Sequence, residues 1–182
     1  VSTPYTLLDM AEDGIAILDV LDIQSAHIVG ASMGGMIAQT IASEYPDRTK
    51  SLVSIMSTTG AKHLPEMTSE TEVNFRNFGE GNLGEIDAEQ MRSYGFYLES
   101  MPRQLTAIFH AGDRSEQVKK INVKTLVQHG ANDPLLPPDH GKHTSELIEG
   151  SKLIIYDKMG HNLPPEVLPT VISDMLDFFS ET

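Results

Sequence analysis

Apolar positions recur at helical spacing in the first part of the chain: Leu7, Leu8, Met10, Ala11, Ile15, Leu18 and Leu21 place an amphipathic helix over about Leu7 to Leu21. The pattern then changes. Ala26 to Gly30, "AHIVG", is a short apolar run stopped by glycine, and it predicts a buried strand. Met33 to Glu44 returns to helical spacing and ends at "EYPDR", because Pro46 cannot continue a helix. Ser51 to Met56, "SLVSIM", predicts a second buried strand and Val123 to Gln128, "VKTLVQ", a third. Pro138 to Ile148 predicts a helix, Lys152 to Tyr156, "KLIIY", a fourth strand, and Pro165 to Phe179 a closing amphipathic helix. Between Thr58 and about Arg103 the pattern is poor, with "GEGNLGE" as a loop, so an irregular or helical insertion is expected there, followed by a short helix at Gln104 to His110. Strands that alternate with helices, each strand almost continuously apolar, imply an α/β fold: a mostly parallel sheet with helices on both faces.

Composition narrows this picture. The 182 residues suit one domain, read in three parts: residues 1–57, an insertion over 58–103, and residues 104–182. With 40% hydrophobic and 21% charged residues the balance is globular. A net charge of −13 opposes binding to nucleic acid or to an anionic membrane surface. The chain has no cysteine, hence no thiol nucleophile, thiolate metal site or disulfide framework, which accords with a cytoplasmic location. No apolar run approaches the roughly 18 residues of a membrane span.

One short stretch carries chemistry. Gly30-Ala31-Ser32-Met33-Gly34 fits G-x-S-x-G and lies between a strand and a helix, the context that gives this motif meaning. A serine on so tight a turn takes strained backbone angles, and its neighbours two residues away on either side are expected to be small to avoid collision. The strain would hold the hydroxyl above the sheet edge, where the Met33 amide and the helix dipole can stabilise a developing oxyanion.

A serine hydroxyl is hardly ionised at neutral pH and needs a base. Of seven histidines, His161 stands out: "YDKMGHNLPPE" puts it in a loop directly after the fourth strand. Loops at the C-terminal ends of parallel strands are where such sheets gather functional groups. His27 within a strand reads as a packing residue, and His129 at the end of the third strand as structural. His140 and His143, three residues apart on one helix, read as exposed surface histidines, and His63 and His110 have no motif around them. The orienting acid is expected at Asp133 in "LVQHGANDPLLP", which ends the third strand at the same sheet edge. An isolated Asn-Asp-Pro is an ordinary turn. The chain order Ser32, Asp133, His161 is nevertheless that of α/β-hydrolases and not of chymotrypsin or subtilisin.

On "AHIVGASMGGMIAQTIASEYPDR", "LVSIMSTTG", "RQLTAIFHAGDR", "TLVQHGANDPLLPP" and "MGHNLPPE" the chain resembles the α/β-hydrolases, specifically the aclacinomycin methylesterase-like branch of small carboxylesterases. The resemblance implies Ser32 as nucleophile, His161 as base, Asp133 as its acid and the Met33 amide as one oxyanion donor. It also implies that residues 58–103 form a cap over the pocket, and that the four strands are the C-terminal half of the family's sheet. The chain departs from the family in two ways. Only "VSTPYT" precedes the first helix, where family members carry further strands and an oxyanion loop, and the cap is shorter.

These readings converge on a serine hydrolase acting on small neutral carboxylic esters, with no metal and no organic cofactor. Perhydrolase or carbon–carbon hydrolase chemistry by the same three residues is the alternative within the fold, and a weakly active or non-catalytic interaction module the alternative outside it. The expected partner is a small-molecule ester, with neither nucleic acid nor membrane. The edge of the Ala26–Gly30 strand is expected to pair with a second copy or with an upstream segment.

Overall fold

The computed structural model describes residues 5–79, 88–93, 95, 97 and 100–181. The order of elements is α1 (Leu7–Val20), β1 (Ala26–Ala31), α2 (Met33–Glu44), a 3₁₀ turn (Pro46–Arg48), β2 (Thr49–Ile55), α3 (Ser69–Gly79), α4 (Ala88–Ser93), α5 (Met101–Ala111), α6 (Ser115–Val118), β3 (Thr125–Gly130), α7 (Asp139–Leu147), β4 (Lys152–Tyr156) and α8 (Leu168–Ser180). The four strands form one parallel sheet in the order β1-β2-β3-β4. All residues of β3 and all but Lys50 of β2 are buried, as expected for central strands with both faces covered.

The reason for the continuous apolar runs is visible along β2. Leu52 packs to one side with Ala38 and Ala42 of α2 and with Val118, Ile121 and Ile148. Val53 and Ile55 pack to the other with Leu126, Tyr156 and the α8 residues Val171 and Phe178. Successive residues of a strand point to opposite faces, so a sheet covered on both faces needs apolar residues at both phases. Helix α1 closes the layer over α2 through Ala11, Ile15 and Ile41. Its start is fixed by a capping box, in which Thr6 accepts from the Asp9 amide and the Asp9 carboxylate accepts from the Thr6 amide.

The main differences from expectation lie at element ends and in the middle of the chain. β2 begins at Thr49 because that residue pairs with Ala26, and β3 runs on to Gly130, which pairs with Tyr156. α5 starts at Met101, with Pro102 in its first turn, where the missing proline N–H costs nothing. Among the described residues the insertion holds two helices, α3 and α4, and the start of α5. Most of the "GEGNLGE" loop lies outside the described residues, as do Tyr94 and Phe96. No helix among the described residues is long and apolar enough to cross a membrane.

Candidate active site

The C-terminal ends of β1, β3 and β4 lie along one edge of the sheet, and each leads into one residue of the site. β1 ends at Ala31 and α2 begins at Met33, so Ser32 alone makes the turn. Its backbone angles, φ 54° and ψ −120°, lie in a region that non-glycine residues rarely enter, a strain of about 1–3 kcal/mol. Four hydrogen bonds hold that conformation. The Ser32 amide donates to the Ile55 carbonyl at 2.9 Å, and the Ser32 carbonyl accepts from the amides of Gly35 and Met36 at 2.9 and 3.2 Å and from the Ser57 hydroxyl at 2.8 Å.

The glycines around the serine have unequal roles. A Cβ on Gly30 would stand 2.0 Å from the Gly34 carbonyl oxygen, and one on Gly35 would stand 2.5 Å from the Ser57 Cβ. A Cβ on Gly34 meets nothing within 4 Å. The expectation that residues two places away on both sides must be small therefore holds for Gly30 and fails for Gly34. What crowds the turn on the helix side is the Gly34 backbone oxygen, and the residue that needs to be small is Gly35.

A second close approach joins the loops after β3 and β4. Gly130 passes so near the later loop that a Cβ there would lie 2.3 Å from the Met159 carbonyl oxygen. This allows Ala131 and Asn132 to donate to the carbonyls of Tyr156 and Met159 at 3.0 and 3.1 Å. The two loops are thus stitched together, and they deliver Asp133 and His161 to one place.

The structure brings the three sequence-predicted side chains into a line. His161 Nδ1 donates to Asp133 Oδ2 at 2.8 Å, which leaves Nε2 as an acceptor for the Ser32 hydroxyl, also at 2.8 Å. The His161 side chain keeps 19% of its surface exposed, while that of Asp133 has none. Burial alone would raise the Asp133 carboxyl, yet it is held well below the usual carboxylate range. Donors from His129, His161 and the Leu136 amide outweigh the burial. Its other oxygen, Oδ1, accepts from the Leu135 and Leu136 amides at 3.0 and 2.8 Å. Met33 is the first residue of α2, so its amide lies at the positive end of the helix beside Ser32.

The remaining histidines divide differently from expectation. His140 is buried, not exposed: its Nε2 donates to the Pro65 carbonyl at 2.9 Å and its Nδ1 accepts from the Thr58 hydroxyl at 2.6 Å. Burial holds it below the ordinary histidine range. His143 is half-buried, with its Nδ1 3.0 Å from the Thr59 hydroxyl and its ring edge-on to His63. Burial, and then the neighbouring His63, lower it as well. Together these two histidines tie the segment after β2 to α7. His27 packs as expected, on Phe179, and its Nδ1 is 2.7 Å from the Ser51 hydroxyl.

Arg114 was not singled out by its sequence context, yet it is buried and donates to the carbonyls of Met36 and Thr58 and to Gln39 Oε1 at 3.3, 2.6 and 2.8 Å. Desolvation lowers it to about 10, still fully charged at neutral pH. A cavity of about 290 Å³ lined by His63, Pro65, Asp139, Lys142 and His143 includes none of the three aligned residues. Among the described residues, no group of three His, Asp or Glu side chains is arranged to hold a metal.

A family model of the α/β hydrolase fold matches residues 2–89, the stretch that holds the strand–serine–helix elbow and ends before Asp133 and His161. The chain has the α/β-hydrolase fold. It is similar to the rhodomycin D methylesterase DauP of Streptomyces sp. (strain C5), at 23% identity over 88% of this chain and 69% of that protein. It is also similar to a 2-hydroxy-6-oxo-6-phenylhexa-2,4-dienoate hydrolase of Burkholderia cepacia, at 29% identity over 79% of this chain and 59% of that one. Among solved structures, a hydrolase from Pseudomonas aeruginosa PA01 superposes with a TM-score of 0.73 and 26% identity, covering 97% of this chain and 73% of its own.

Proposed function

We propose that this α/β-hydrolase cleaves small neutral carboxylic esters through an acyl-enzyme formed on Ser32. The observation that carries the proposal is the unbroken relay Ser32 Oγ, His161 Nε2, His161 Nδ1, Asp133 Oδ2, with both links at 2.8 Å. In this reading Ser32 Oγ attacks the ester carbonyl carbon as His161 Nε2 takes its proton. Asp133 holds the ring in the tautomer that leaves Nε2 free and stabilises the imidazolium that forms. The carbonyl oxygen, now carrying negative charge, is met by the Met33 amide at the N-terminus of α2. The proton then passes from His161 to the leaving alcohol, and a water activated by the same nitrogen releases the acid.

The similarity to a methylesterase supports an ester substrate. The similarity to dienoate hydrolases supports a second reading, cleavage of a carbon–carbon bond beside a ketone by the same three residues. A fluorophosphonate probe tests what both share, since covalent labelling at Ser32 requires an activated hydroxyl. Parallel assays with p-nitrophenyl butyrate and a meta-cleavage dienoate then separate the two. Turnover of the dienoate alone would replace the ester reading, and an unlabelled Ser32 would end both.

A further inference from the structure

The carboxylate at the end of the relay has a second histidine beside it. His129, on β3, is fully buried, and its Nε2 lies 3.5 Å from Asp133 Oδ2, the oxygen that also accepts from His161. The same Nε2 donates to the Leu136 carbonyl at 2.8 Å. A carbonyl oxygen can only accept, so the ring proton sits on Nε2, between Leu136 and Asp133. Nδ1 has no partner and faces α7 at Gly141, where a Cβ would come within 2.7 Å of it. Gly141 on one side and the Leu136 carbonyl on the other fix the ring. The ring is therefore held with its Nε2–H donated to Leu136 and the positive edge of that same group 3.5 Å from the triad's acid, both side chains fully buried, where such a dipole acts strongly.

We propose that His129 is a positioning residue of the Ser32–His161–Asp133 relay: it shares the charge of Asp133 Oδ2 with His161 and so keeps the acid from over-stabilising a protonated His161. The proposal rests on the esterase reading, in which His161 must both take the Ser32 proton and give it up to the leaving alcohol. A carboxylate facing His161 alone would bind the imidazolium more tightly and return the proton less readily. The titratable groups facing this cluster from the packed elements are His161 itself and, from α7, His140, which feels both His129 and Asp133, with Asp139 acting on His140 in turn. His140 is occupied by Thr58 and Pro65, so His129 is the residue whose protonated nitrogen lies beside the acid.

The test is the pH dependence of kcat/KM for p-nitrophenyl butyrate in His129→Leu, His129→Met and His129→Gln. Leu and Met remove the donor at similar volume, and Met adapts to an irregular site if Leu does not fold. Gln can restore an N–H near the position of Nε2. Both donor-free variants are expected to move the acid limb upward by about half a unit or more, a loss of about threefold in rate on the limb, and Gln to restore the wild-type position. A residue that merely fills space would lower kcat without moving the limb. A folded Leu or Met variant with an unmoved limb, or a Gln variant displaced as far as they are, would overturn the proposal. Ser32→Ala measured alongside keeps the two readings apart: if it is inactive while the limb stays put, the relay stands and only the role of His129 falls.

Discussion

The Ser57 hydroxyl donates to the carbonyl oxygen of Ser32 at 2.8 Å, from the second residue beyond β2. This bond supports a backbone conformation that costs energy, and it explains why the helix side of the elbow is crowded at Gly35. Gly30→Ala and Gly35→Ala are each expected to abolish folding or shift the urea midpoint by several kcal/mol of stability, since the added methyl meets backbone or the Ser57 side chain. Gly34→Ala should be neutral or stabilising by up to about 1 kcal/mol, because the methyl has open space and alanine is the better helix former. Equal loss of stability in all three variants would refute this account of the turn.

Ser32→Ala removes one hydroxyl from a turn held by its backbone. It is expected to leave the thermal midpoint near or above wild type while lowering ester turnover by about 10⁴- to 10⁶-fold, as for a group that acts as part of a unit. Retention of more than a few per cent of the activity would show that another group attacks the substrate.

His161→Ala should be nearly as damaging, and Asp133→Asn less so, because asparagine still contacts the ring but cannot stabilise its charged form. Wild-type turnover is expected to depend throughout on His161 as the acceptor of the Ser32 proton. Stopped assays across pH 5 to 9 check this, and superimposable profiles for wild type and His161→Ala would exclude His161 as the base.

Much of this site was legible because it depends on local order. The G-x-S-x-G motif, the glycine-bounded strands and the loops after them put Ser32, Asp133 and His161 at one sheet edge. The helix at Met33–Glu44 and the strand at Lys152–Tyr156 match residue for residue, since glycine, proline and charge mark their ends. What could not be read depends on contacts distant in sequence. His140 looks like a surface residue on its own helix, and only Thr58, 82 positions earlier, shows that it is buried. Gly130 and Gly141 look like ordinary glycines until the Met159 carbonyl and the His129 ring are seen against them. The apolar residues of the insertion over 58–103 are only partly within the described set. Met67 is half-buried and Tyr97 is 66% exposed, while the side chains of Phe75, Phe78, Met91 and Met101 lie outside the described set.

The buried His140 makes stability depend on pH with a definite sign. Its folded-state value is held below the ordinary histidine range, so the unfolded chain binds a proton here where the folded one does not. Its contribution is full above the unfolded value of about 6.5 and is lost as pH falls through that value toward the folded one. His140→Gln should therefore be less stable than wild type at pH 7.5, with the gap in thermal midpoint narrowing by pH 5.5. A gap that is constant across this range would mean that His140 does not titrate on unfolding.

The last prediction concerns the sheet edge. Among the described residues β1 pairs with β2 on one side only, and Val29 on this strand is 45% exposed. An edge of unpaired N–H and C=O groups beside an apolar side chain is a template for another strand. We propose that residues 1–182 expressed alone associate through Ala26–Ala31, and that a longer polypeptide would instead lay its own strand there. Val29→Lys, which places a charge on the edge without touching the relay, should convert associated protein to a 20.0 kDa species in multi-angle light scattering. The same substitution should leave fluorophosphonate labelling of Ser32 intact, because β1 keeps its pairing with β2 and the turn at Ser32 is held from the β2 side. Wild-type protein that is already monomeric at high concentration, with amide exchange at β1 as slow as at β3, would show the edge to be protected in some other way.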